Sequence, residues 1–214
     1  MVIPDQPAAA PDDSINGRRF EQLIKRDGDR AERLNLYKIC KYGLNINWVM
    51  KHRRCKACGS MESSPEPMAL PSLPDFEGVF SDGRGLIFEA KVSSGSGFQL
   101  AQKDKLGTKQ LQHLMDRSTW NEVTFLLVHF NRRQLTKSIQ PAQTFAVPVH
   151  PNHPFWRRFK RGEEKTLNRQ LARDHGVEVS WFLDKRTLVP DLYAAMIELV
   201  HLLRECAERE GMTV

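Results

Sequence analysis

The chain has 214 residues, enough for one compact domain that buries roughly 70% of its unfolded surface and too few for a second independent core. Its 40% hydrophobic and 27% charged residues are ordinary for a soluble globular protein, and a net charge of +6 with a pI near 9.3 favours a polyanionic partner. No apolar run reaches the length of a membrane span. Met1 to Ser14 carries acids and prolines in place of a basic-then-hydrophobic leader, and four cysteines make no disulfide framework; the expectation is a reduced, cytoplasmic protein without membrane contact.

Residues 1–14 read as a disordered tail ahead of a single domain over 15–214. A helix capped by Ser14 or Asn16 is expected to run to about Tyr37, because Phe20, Leu23, Ile24, Ala31, Leu34 and Tyr37 recur at near-helical spacing. Asn45 to Met50 reads as a strand. The basic cluster His52-Arg53-Arg54-Cys55-Lys56 follows, and the Pro- and Ser-rich stretch to Pro74 reads as loop, making 51–74 an inserted basic stalk or loop. Two strands then flank Ser81-Asp82-Gly83-Arg84, which has the composition of a hairpin turn. Beyond it come a helix over Leu100 to Arg117, a buried strand over Glu122 to Phe130 and a strand over Thr144 to Val149. A basic helix over Phe155 to Asp174, a strand over Val177 to Phe182 and an amphipathic helix over Asp191 to Glu210 complete the pattern. This order predicts an α/β fold, a mixed sheet flanked by helices.

The hairpin carries the chemistry. Alternate residues of a strand face opposite sides, so Phe76, Gly78 and Phe80 join Leu86, Phe88 and Ala90 against a core. Asp75, Glu77 and Val79 then share the other side with Ile87, Glu89 and Lys91. A two-residue Asp82-Gly83 loop would set Asp75 opposite Ala90, on the wrong face, whereas a three-residue Asp82-Gly83-Arg84 loop sets it opposite Lys91. An odd-length loop or a bulge is therefore expected. Three carboxylates on one patch repel one another beyond what a single lysine neutralises. Oxygen ligands that retain waters suit Mg²⁺ or Mn²⁺, which lowers the pKa of bound water and offsets charge on a phosphodiester in flight. Lys91 is placed to position or deprotonate the attacking water, or to counter charge on the phosphorane.

At these residues the chain resembles the RecU family of Holliday junction resolvases, members of the PD-(D/E)-x-K nuclease superfamily. Over roughly residues 17–160, Phe20-Glu21 resembles the family's leading acidic position and Asp75-Phe76-Glu77-Gly78-Val79-Phe80 its Asp-bearing strand. Phe88-Glu89-Ala90-Lys91 is similar to its central motif, followed by Phe98-x-Leu100, the Gln-bearing helix Lys109-Gln110-Leu111-Gln112-His113-Leu114, and the strand Phe125 to Phe130. The resemblance implies a restriction-endonuclease-like fold, with Asp75 and Glu89 as metal ligands, the Ala90 carbonyl as a third and Lys91 as the catalytic lysine. It places Glu21 and Gln110 beside the site, and it implies a homodimer that nicks opposing strands of branched DNA in recombination and repair. Glu77 stands where the family tends to have a shorter polar residue, and the family's stalk is rewritten over Lys51 to Leu73. Junction cleavage, cleavage of ordinary duplex, and a DNA-binding protein that no longer cuts all remain open.

Two further features stand apart. Cys55 and Cys58 form one CxxC, with His52 before it and Cys40 upstream; the set reads as reduced thiols or as a structural zinc site bracing the stalk. Lys51, Arg53, Arg54, Lys56, Lys103, Lys109, Arg157 and Arg158 are candidate DNA-backbone contacts.

Overall fold

A computed structural model describes residues 14–41, 46–54, 60–69, 74–100, 108–136 and 138–211. The tail expected over 1–14 lies outside them up to Asp13. From Ser14 onward the chain is tied down: the Asn131 side chain accepts from the Ile15 N–H at 2.8 Å and donates to its carbonyl at 2.9 Å.

Helix α1 spans Gly17–Arg33 and starts at Asn16, whose side chain accepts from the Arg19 N–H at 2.9 Å. It stops short of the expected Tyr37. Asn35 turns the chain at φ 53, and Tyr37 opens strand β1 (Tyr37–Lys41), its hydroxyl donating to the buried Asp27. The stretch read as a strand and then loop is a ribbon of β2 (Ile46–Arg54) and β3 (Met61–Ala69), paired antiparallel from Ile46↔Ala69 to Arg54↔Met61. Prolines 65 and 67 fall within β3. Spaced by two, their missing N–H groups point the same way, and a two-stranded ribbon has an open edge to receive them.

The hairpin of β4 (Phe76–Phe80) and β5 (Gly85–Ser93) closes on a three-residue loop, with the Phe80 N–H donating to the Arg84 carbonyl at 2.9 Å. Gly83, the last loop residue, sits at φ 87, where a side chain would be strained. The odd length is as expected, but the loop is Ser81-Asp82-Gly83. The register Phe76↔Phe88 therefore sets Asp75 across from Glu89 rather than Lys91. A stack of Phe76, Phe88 and Phe125, with ring centroids 4.9 and 4.6 Å apart, locks this register across three strands. Each ring is fully buried, worth roughly 1.5–3 kcal/mol, and a one-residue slip would turn them all toward the carboxylates.

After β6 (Gly97–Gln99), helix α2 covers Thr108–Ser118, starting later than the Leu100 expected; residues 101–107 lie outside the described ones. Then follow β7 (Val123–Phe130), the short pair β8 (Arg133–Gln134) and β9 (Ile139–Gln140), and β10 (Gln143–Pro148). The single basic helix expected over Phe155 to Asp174 is broken into α3 (Pro154–Lys160), β11 (Thr166–Asn168) and α4 (Arg169–His175). Gly162 at φ 78 ends α3, and the Asn168 side chain starts α4 by accepting from the Leu171 N–H. The strand expected over Val177 to Phe182 is likewise split into β12 (Val177–Glu178) and β13 (Trp181–Asp184). The latter pairs with β14 (Thr187–Pro190) ahead of α5 (Leu192–Gly211).

The main sheet runs β1-β4-β5-β7-β10-β12, mixed because β5 and β7 are parallel while the other neighbours are antiparallel. One face, with Phe76, Phe88 and Phe125, packs on α1 and α5. The other, with Ile87, Leu126 and Val128, packs on α2, α3 and α4. This is a single-domain, restriction-endonuclease-like α/β fold. No helix among the described residues is long and apolar enough to cross a membrane.

Candidate active site

Glu89 and Lys91 leave β5 on the α2 side, the side of Ile87, because they are two and four residues on from it. Asp75, just ahead of β4, meets them through two reciprocal backbone bonds. The Asp75 N–H donates to Glu89 Oε2 at 2.9 Å, and the Ala90 N–H donates to Asp75 Oδ2 at 3.1 Å. Each strand thus holds the other's carboxylate. Lys91 donates to Glu89 Oε1 and stands 3.9 Å from Asp75 Oδ2, while the buried Gln110 of α2 donates to Glu89 Oε1 at 3.0 Å.

Glu89 is 0% exposed, and burial pushes its carboxyl up to about 7; the charge of Asp75 adds to the rise and Lys91 opposes it. Asp75 is also raised, first by burial, with Lys91 and the Ala90 N–H opposing. Two carboxylates have been taken from water with less positive charge than they need. That deficit, together with an all-oxygen donor set, fits a hard divalent cation held by Asp75 and Glu89. Among the described residues no three His, Cys, Asp or Glu side chains gather as a metal cluster, so main-chain oxygen, for which Ala90 is the candidate, and water would complete the shell.

Glu77 is not brought to this pair. It faces the same side, but Arg117 of α2 takes it at 3.2 Å and also donates to Glu122 at 2.5 Å. Glu21, half-buried on α1, ion-pairs with Lys41, the last residue of β1, which lies across from Phe76 beside Asp75. The charges of both reach Asp75, Glu21 raising its pKa and Lys41 lowering it. Lys41 and Arg117 were missed in the sequence. Alternation along β1 sets Lys41 on the α1 side with Tyr37 and Ile39, where it meets Glu21, so strand pattern alone gives no sign that its charge reaches Asp75.

Of the basic candidates, Lys51, Arg53 and Arg54 lie on β2 toward the end of the ribbon where Arg54 pairs with Met61. Lys109 is exposed beside Gln110; Arg157 is exposed and Arg158 partly so on α3. Lys56 and Lys103 lie outside the described residues, as do Cys55 and Cys58. Cys40 is exposed on β1 across from Glu77, and His52 is paired with Ser63 in the ribbon, so the described part of the zinc set is divided between two sheets. Trp156, Trp181 and Cys206 are buried in packing roles.

A family model described as RecU, Recombination protein U, matches residues 15–191. The match takes in every residue named around Glu89 and continues past Arg161 through β14, further than the motifs alone reached. No curated protein matches the chain significantly.

Proposed function

The chain belongs to the RecU family, and from that premise we propose that it is a Mg²⁺- or Mn²⁺-dependent endonuclease that hydrolyses phosphodiesters of branched DNA, four-way junctions above all, as a homodimer. The observation that carries the reading is the reciprocal clasp of Asp75 and Glu89 with Lys91 and Gln110 converging on Glu89. Such a constellation has no structural purpose that an apolar pair would not serve better, since buried like charges destabilise a fold.

When bound, the cation supplies an acidified water and neutralises phosphate charge. The protein's own residues do the rest. Asp75 and Glu89 fix its place from two strands. Gln110 holds the Glu89 carboxylate in one orientation, a support of the kind that tunes metal ligands. Lys91, within reach of both carboxylates, orients the attacking water or meets the charge that develops on the phosphate. Glu21 and Lys41 flank Asp75 from α1 and β1. The ribbon of β2 and β3, set between β1 and β4 in the chain, favours a branched substrate because it carries Lys51, Arg53 and Arg54 on a pair of strands rather than on a loop. With Lys56, Lys103, Lys109, Arg157 and Arg158 they are the proposed phosphate contacts.

The test is a labelled four-way junction incubated with protein and Mg²⁺, beside the same junction with Asp75→Asn and with linear duplex as competitor at fixed salt. Metal-dependent cutting that the variant loses, and that duplex does not suppress, is expected. Cutting suppressed by equimolar duplex would favour the duplex reading. Absence of any cutting alongside tight binding would favour a DNA-binding protein.

A further inference from the structure

The basic segment around α3 does more than present a charged helix face. Gly162, at φ 78, lets its own N–H reach the Phe159 carbonyl at 2.9 Å while the Glu163 N–H reaches the Arg158 carbonyl at 3.1 Å. This paired cap folds the chain back on α3 and delivers two glutamates to its arginines. Glu163 takes Arg161 fork to fork, Oε1 to Nε at 2.5 Å and Oε2 to Nη2 at 3.0 Å. Arg158 donates to Glu164 and stands 3.8 Å from Glu163. Arg157, Arg158 and Arg161 surround an open recess of about 350 Å³ with Asn152 and Pro154. Arg157 is exposed and makes no ion pair among the described residues.

This corner shares a side of the sheet with the candidate active site. Phe155 and Trp156 of α3 pack in the same core as Ile87, the neighbour of Glu89 along that face. The stretch after Lys91 joins it directly: β6 pairs with β11, and the Leu100 N–H donates to the Lys165 carbonyl at 3.1 Å. A planar guanidinium gripped by both oxygens of a carboxylate is posed as it would be for a phosphate. Pairs this exposed hold weakly in water and exchange readily.

We infer that the corner formed by α3 and its cap is a DNA-backbone site in which Glu163 and Glu164 stand in for phosphates, keeping Arg158 and Arg161 oriented until DNA displaces them. The inference rests on the DNA-cleaving reading above and adds Arg161, Glu163 and Glu164 to it. Arg157 makes first contact, and the forked Arg161 and the neighbouring Arg158 follow. The glutamates also set a threshold: a strand must outcompete them, so weakly held DNA is rejected.

The experiment measures junction and duplex affinity across a salt series, without divalent metal so that nothing is cut. Glu163→Gln with Glu164→Gln frees the arginines; affinity should rise at least threefold. Arg158→Ala with Arg161→Ala should lower it about tenfold or more and flatten the slope of log affinity against log salt by about 1.8, at about 0.9 per lost phosphate contact. Arg158→Lys with Arg161→Lys, which keeps charge and fold but not the fork, should fall between wild type and the alanine pair. Unchanged affinity in the glutamine variant overturns the inference, as does an unchanged slope in the alanine variant. Failure of the wild type to bind DNA even at low salt would instead sink the nuclease reading on which the inference rests.

Discussion

Glu89 is an ionisable residue with no exposure to water, and its three partners show how narrowly its position is set. Gln110 contributes a neutral donor at 3.0 Å from Glu89 Oε1, so its removal frees the carboxylate to rotate without changing net charge. Gln110→Ala is expected to weaken apparent Mg²⁺ affinity about tenfold or more, read from the metal dependence of cleavage. Equal metal dependence in the two proteins would show that the helix only covers the site. Asp75, Glu89 and Lys91 could be gathered on one patch from strand alternation and a short motif, whereas Gln110, on a helix, was placed beside them only by the family resemblance. The capture of Glu77 by Arg117 was not, since an ion pair between residues so distant along the chain leaves no trace in either neighbourhood.

A second buried acid gives a residue-scale prediction with a sign. Asp27 is 1% exposed, accepts from the Tyr37 hydroxyl and the Leu192 N–H, and burial pushes its pKa up to about 6. The folded protein therefore holds this proton more tightly than the unfolded chain, whose ordinary value is 3.8. Stability from it is complete below about pH 4 and is lost as pH rises through about 6. Asp27→Asn should gain on wild type by on the order of 2 to 3 kcal/mol across that window and show no further gain above it, measured by urea unfolding at stepped pH. Buried His129, lowered to about 4, acts oppositely, losing stability as pH falls from 6.5 toward 4, but it is present in both proteins and cancels in the comparison.

Among the elements, β1 and the hairpin stand together. A Cβ on Gly78 would lie 2.0 Å from the Lys38 carbonyl and 2.9 Å from Ile39, so Gly78→Ala must push β1 away from β4. We expect a cost of about 1–3 kcal/mol and a drop in Tm of a few degrees up to roughly 10 °C by calorimetry, with cleavage falling further because Lys41 and Glu21 move from Asp75. An unchanged Tm would contradict the tight β1–β4 pairing. What the sequence concealed at this scale has physical causes. Tyr37 fits both the helical spacing of α1 and the first position of a strand, and only Asn35 in the left-handed region decides between them. Proline argues against central strands, which hid β3, whose ribbon has an open edge. Gly162 broke a helix that charge and hydrophobic spacing would have continued to Asp174.

At the scale of the molecule, two cores on opposite faces of one sheet hold the β4–β5 hairpin from both sides, and the fold class followed from the order of elements because β5 and β7 are parallel with α2 between them. The proposed cutting of opposing strands by two metal sites would require two copies of the chain. Sedimentation should therefore give about twice the 24.6 kDa chain mass at micromolar concentration; a monomer there would leave symmetric cleavage without a basis.

The pairing of Asp75 with Glu89 around one divalent ion is tested most directly by titrating Mn²⁺ into the wild-type protein and Glu89→Gln by calorimetry, with circular dichroism to confirm that the variant is folded. The wild type should bind one ion per chain, and the variant should bind it at least tenfold more weakly. Equal binding by both proteins, or none by the wild type, would contradict the site.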